Sequence, residues 1–243
     1  MLVLWNVRPG KSRMQWTAPI DGYCERLSDA FWAEPVNALS NLAFLIAAGL
    51  GLALWRHADR RDRSPGQGRD WASLALVALV ATIGTGSFLF HTFANVWSSL
   101  ADVVPIAVFI YAYFALALRR LVGLSFWPTT LATLGFFGFS FLAGPLFGPL
   151  VGGSAAYVPA LLALVAIGSF LIGTGKPGGG EVLAAGLVFT LSLAMRIADA
   201  PLCASWPQGT HFLWHGLNAV TLGLLLAAAI RHAPPRRPGR ITA

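Results

Sequence analysis

The chain is short of charge. Only 11% of its 243 residues are Asp, Glu, Lys or Arg, where a water-soluble domain usually carries about a quarter. Between Trp71 and Gly175 the charged residues are Asp102, Arg119 and Arg120 alone. A water-soluble core cannot hide so much apolar surface, whereas lipid can. No internal repeat is visible, so a transporter built on duplicated halves has no support. Residues 1–15 hold Arg8, Lys11 and Arg13 without an apolar run and a cleavage site, so no cleavable signal peptide is expected. The net charge is +7. Its arginines cluster in short connections between apolar runs, as juxtamembrane residues do, and this argues against nucleic acid as a partner.

What the chain does have is long apolar runs. A helix needs about 20 apolar residues to cross a bilayer. Seven candidate spans fit, at roughly 35–55, 71–91, 99–118, 124–144, 156–174, 182–200 and 210–230. The expected fold is therefore all-α: a polytopic bundle of seven transmembrane helices. Its parts are an outer segment over 1–34, the helical domain over 35–231 and a basic tail over 232–243.

Orientation follows from Lys and Arg. Arg56, Arg60, Arg61, Arg63 and Arg69 lie between spans one and two, and Arg119 and Arg120 between three and four. Lys176 lies between five and six, and Arg231, Arg236, Arg237 and Arg240 in the tail. With seven spans all of these share one side, and the opposite connections carry none. The N-terminus is expected outside and the C-terminus in the cytoplasm.

Ionisable groups then gather at the outer face. His91 ends span two, and Ser87 precedes it by one helical turn. Asp102 opens span three, and "GTHFLWHGLNA" opens span seven with His211 and His215. Residues four apart share a helix face. Intramembrane ionisable groups are costly and point to function. Three imidazoles with a fourth position open match a catalytic zinc site. Haem is a rival for paired histidines, but it has no need of Ser87 or Asp102. His57 and His232 sit among arginines and read as interfacial residues. Arg196 and Asp199, at the end of span six, read as an ion pair.

The segment "DGYCERLSDAFWAEPVNALSN" crowds Asp21, Glu25, Asp29 and Glu34 ahead of Asn37 and Asn41. It suits either a calcium site or a solvated acidic stretch at a helix N-terminus. Cys24 and Cys203 both fall on the outer side, where disulfides persist. A bridge between them is expected, with two free thiols as the alternative.

Three motifs resemble the alkaline ceramidases, seven-helix intramembrane zinc hydrolases, and their wider superfamily of membrane hydrolases and receptors. They are "CERLSDAFWAEPVNALSN", "GSFLFHTF" followed by Asp102, and "HFLWH". In order they run from the first span to the last. The resemblance implies zinc ligands at His91, His211 and His215, and catalytic roles for Ser87 and Asp102. It implies a calcium site as well, with Asp21, Glu25 and Glu34 as side-chain ligands and Tyr23 and Leu27 at the remaining positions. Leu27 can offer only its backbone carbonyl, and the Cys24-to-Glu34 interval is shorter than in eukaryotic members. The implied activity is hydrolysis of the amide of an N-acyl sphingoid lipid drawn from the membrane. Hydrolysis of another acyl lipid would use the same chemistry. A receptor or sensor with a structural zinc is the alternative, and would close the site with a fourth protein ligand. A proton-relay transporter would instead spread polar residues through the membrane's depth.

Overall fold

The computed structural model describes residues 15–61 and 68–233. Arg8, Lys11, Arg13, Arg63, Arg236, Arg237 and Arg240 lie outside the described residues. The regular structure of the described residues is all helical, apart from one isolated β-bridge between Pro19 and Asn95. A short helix α1 (Pro35–Ser40) breaks at Asn41 and continues as α2 (Leu42–Arg61). Then follow α3 (Trp71–Phe93), α4 (Val96–Ala117), α5 (Phe126–Val151), α6 (Val158–Gly173), α7 (Gly179–Leu202) and α8 (His211–Arg231).

Among the described residues six helical stretches are long and apolar enough to cross a membrane: 35–61, 71–93, 96–122, 126–173, 179–202 and 211–231. The fourth is 48 residues long and covers both α5 and α6. At about 1.5 Å per residue it would far outreach a bilayer if straight. It is broken at Gly152, whose φ of +54° turns the backbone into a 3₁₀ segment, Gly152–Tyr157. Beyond α6, the Lys176 ammonium donates to the carbonyl of Val122, just ahead of α5. The chain thus goes out along α5 and returns along α6. The gap of 145–155 expected between spans four and five is shorter in the structure, because α5 runs on through Pro145 and Pro149 to Val151. Apolar helices tolerate proline where neighbouring groups take up the freed carbonyls.

The helices pack through a continuous core that includes Phe44, Val80, Ile83, Leu171, Val182 and Leu226. The outward faces are apolar as well, with Leu42, Leu50, Leu131, Leu150 and Leu187 exposed. Lipid supplies no hydrophobic drive between such helices, so close packing and polar contacts must hold them. Gly86 shows how close: a Cβ there would run into the backbone of Ala101 and Asp102 on α4. The α3–α4 reversal is correspondingly short. Ala94 closes α3 in a left-handed conformation, and Asn95 opens α4 with a capping box to Ser98.

At one end of the bundle the N-terminal segment is stitched to this reversal. Ile20 N–H donates to Ala94 O (2.7 Å) and Val96 N–H to Ala18 O (3.2 Å). A disulfide joins Cys24 to Cys203 across 179 residues of sequence. The opposite end gathers Arg60, Arg61 and Arg69 on either side of the α2–α3 connection, Arg119 and Arg120, and Arg231 at the end of α8. There Arg120 reaches Asp70 at 2.5 and 2.9 Å and the Ala229 carbonyl at 3.2 Å.

Candidate metal and catalytic site

Two helix ends converge where the N-terminal segment is anchored. His91 comes from the last turn of α3, and His211 and His215 from the first turns of α8. Their exposures are 1%, 2% and 1%. Each offers a ring nitrogen, and these nitrogens all lie within 4.8 Å of one another. Among the described residues no other group of three or more His, Cys, Asp or Glu side chains is so placed.

The outer nitrogens of two rings are fixed from behind. His91 Nδ1 pairs with Glu34 Oε2 at 2.6 Å, and His215 Nδ1 with Ser40 Oγ at 2.7 Å. Such partners set the tautomer and leave the opposite nitrogen to face a ligand. His91 Nε2 and His211 Nδ1 are buried without a protein hydrogen-bond partner, and so is Asp102 Oδ1. Buried polar atoms rarely go unpaired. Three buried imidazoles, two of them with an unpartnered ring nitrogen, could hold a metal ion, and three protein ligands leave a fourth position open.

Ser87 stands one turn below His91, with its Oγ 3.5 Å from His215 Nε2. Asp102 is 9% exposed. It lies close enough to feel both His91 and the Ser87 hydroxyl. The Gly86 contact sets this spacing, because it presses the Ser87 turn of α3 against Asp102 on α4. A cavity of about 620 Å³ opens from this point between α4, α5, α6 and α7. Tyr23, Asp102 and Arg196 line its polar end, and Ile106, Phe137 and Leu150 its apolar reach.

A family model described as Ceramidase matches residues 15–171. The chain belongs to the ceramidase family. The match takes in Ser87, His91 and Asp102 and stops short of His211 and His215, which the fold itself brings to the same point. No curated protein and no solved structure matches this chain. Membership of this family implies a hydrolase acting on amides, with a lipid substrate and membrane-embedded helices.

One expectation is corrected by the geometry. Arg196 and Asp199 do not form a pair of their own. Asp199 accepts from the backbone N–H groups of Cys24, Thr210 and His211, at 3.2, 2.7 and 2.9 Å. It thereby caps α8 and fixes His211. Gly209, at φ +66°, lies so close to this carboxylate that a side chain would collide with it. Arg196 turns instead to the cavity, donating to Ser154 Oγ at 2.8 Å and lying over the rings of Tyr157 and Trp214.

The residues that the resemblance assigns to calcium have other protein partners or face outward. Leu27 is 85% exposed. Both Glu25 oxygens accept backbone N–H bonds, from Val36 at 2.7 Å and Asn37 at 2.8 Å, capping α1. Tyr23 stacks on His211 with ring centroids 3.7 Å apart, and burial pushes its phenol above the ordinary range. Glu34 is bound to Arg26 Nε at 2.5 Å. Burial works against the charge of Glu34, but its bonds to His91, Arg26 and Asn37 outweigh that and hold it below the usual carboxylate range. Asp21 is exposed.

Sequence reasoning missed Ser40, the Asp199 cap and the inward turn of Arg26. A signal existed for Ser40: Glu34, Asn37 and Ser40 follow one another at three-residue intervals, and so share a face of α1.

Proposed function

We propose that this chain is a zinc-dependent intramembrane lipid amide hydrolase of the ceramidase type. It would cleave an N-acyl sphingoid lipid to a fatty acid and a sphingoid base. One observation carries the reading. Buried histidine nitrogens, two of them unpartnered, gather with Ser87 beside Asp102, which lines the polar end of a cavity whose far reach is apolar.

His91, His211 and His215 would hold the zinc. A zinc ion in such a site polarises a carbonyl and makes water nucleophilic near neutral pH. Asp102, with one oxygen free, takes a proton as water adds to the acyl carbon. It returns that proton to the nitrogen as the C–N bond breaks, leaving a carboxylic acid and an amine. The Ser87 hydroxyl donates a hydrogen bond to the oxygen on which negative charge develops. Glu34 and Ser40 hold two of the imidazoles in register. Arg196 gives the cavity mouth a positive charge for the polar head of the lipid, while the apolar walls receive its chains.

The out-and-back path of α5 and α6 supports seven crossings. The arginines of the opposite end support a cytoplasmic C-terminus, with the site at the other face. A structural zinc in a receptor would need a fourth protein ligand, and the cluster has three.

The test is fatty-acid release by the purified protein from N-acyl sphingoid lipids, with glycerolipids as controls. Release from the sphingoid amides alone is expected. Release from glycerolipids alone would assign another acyl lipid, and zinc binding without any turnover would favour the receptor.

A further inference from the structure

Arg26 is 6% exposed. Three oxygens converge on its guanidinium: Glu34 Oε1 at 2.5 Å, Ser28 O at 3.1 Å and His91 O at 3.1 Å. One carboxylate and two backbone carbonyls are the donor types that a hard cation gathers. Here a side chain of the protein sits among them. A guanidinium keeps its charge at any working pH and presents five donors in a rigid fork. It therefore meets several fixed oxygens at once, as an ion would.

We infer that Arg26 is a built-in substitute for a divalent cation, and that the outer segment of this chain is organised without calcium. The guanidinium ties three parts together. Ser28 belongs to the N-terminal segment, Glu34 to the entry of α1, and the His91 carbonyl to the last turn of α3. Glu34 in turn grips the imidazole of the same His91. Arg26 is thus a positioning residue: it neutralises Glu34 and holds it at the distance that orients His91. Of the remaining residues, Glu25 is committed to the α1 backbone, and Asp21, Leu27 and Asp29 are exposed.

The inference goes beyond the hydrolase reading and depends on it only in the zinc-release arm below. The experiment takes the full-length protein, purified in calcium-free buffer. Bound calcium and zinc are measured by mass spectrometry, and thermal melting is followed while calcium chloride is added. A ligand that binds the folded state raises its stability with concentration. No bound calcium and no shift in melting are expected. A saturable rise in melting temperature with calcium would overturn the inference.

Arg26→Gln should melt several degrees lower and release zinc faster to a colorimetric chelator, with Arg26→Lys between it and the wild type. If Arg26→Gln does not fold, Arg26→Lys alone must show the lowered melting and faster release. Wild-type melting and zinc release in the variants would also overturn the inference. None of these readouts requires turnover, so a failure to hydrolyse sphingoid amides leaves them interpretable.

Discussion

The two ends of the bundle both bury a carboxylate beside an arginine, and they differ in what is left over. At the basic end the carboxylate of Asp70 is closed on every side. Arg120 reaches both of its oxygens, and the Ser73 hydroxyl and N–H donate at 2.6 and 3.1 Å. At the other end Glu34 is closed by Arg26, His91 and Asn37. The groups just beyond it are not closed. His91 Nε2, His211 Nδ1 and Asp102 Oδ1 are all buried without hydrogen-bond partners. A closed network locks helices together. An open one, buried and held rigid by its neighbours, has the form of a site waiting for something from outside the chain.

The sharpest way to break this comparison is to remove a ligand at the open end. His91→Ala should abolish zinc binding and lower fatty-acid release on the order of a thousandfold, since a metal supplies several kcal/mol to such a transition state. Metal analysis and initial rates read both. Asp102→Asn should keep the zinc and lose about a hundredfold to ten-thousandfold in kcat. Retained zinc with lost turnover separates the proton carrier from the ligands.

At the closed end the same kind of change should touch stability alone. Arg120→Leu strands a buried carboxylate, which costs about 3–5 kcal/mol, while zinc content stays at the wild-type level. Burial alone would raise the pKa of Asp70, but its bonds from Arg120 and Ser73 outweigh burial and hold it below the ordinary value. A depressed folded-state pKa contributes stability above the unfolded value, about 3.9. That contribution is lost as pH falls through the folded one. Melting of the wild type should therefore decline with acid below that value, and Arg120→Leu should flatten this part of the profile. The smallest effect on the zinc site is expected from Glu34→Gln, which also leaves the buried Arg26 guanidinium without its carboxylate and so lowers stability. It keeps the shape but weakens the grip on His91, for a loss of about ten- to a hundredfold in zinc affinity, measured by chelator competition.

Much of the fold was legible because apolar runs and their basic punctuation carry it. Helices need length and hydropathy, and both are local. The histidines were legible too, since i,i+4 spacing places His211 and His215 on one face and chain order puts His91 and Asp102 at the same depth. What was not legible depends on which way a side chain turns. Arg196 and Asp199, three apart on a helix, look like partners. Yet Asp199 is drawn to the free N–H groups of Thr210 and His211, and Arg196 to the cavity. Arg26 lies inside an acidic run that reads as a cation site, and nothing local says that it folds inward to serve as the cation. The close approach at Gly86 is equally a matter of tertiary packing, since the contact is with α4.

The central claim is that the open end holds a metal through three histidines. Its most direct test is the metal content of the purified protein against a variant with His91, His211 and His215 all changed to alanine. About one zinc per wild-type chain and none in the variant is the expected result. Zinc retained by the variant, or a wild type that turns over lipid amide without zinc, would contradict it.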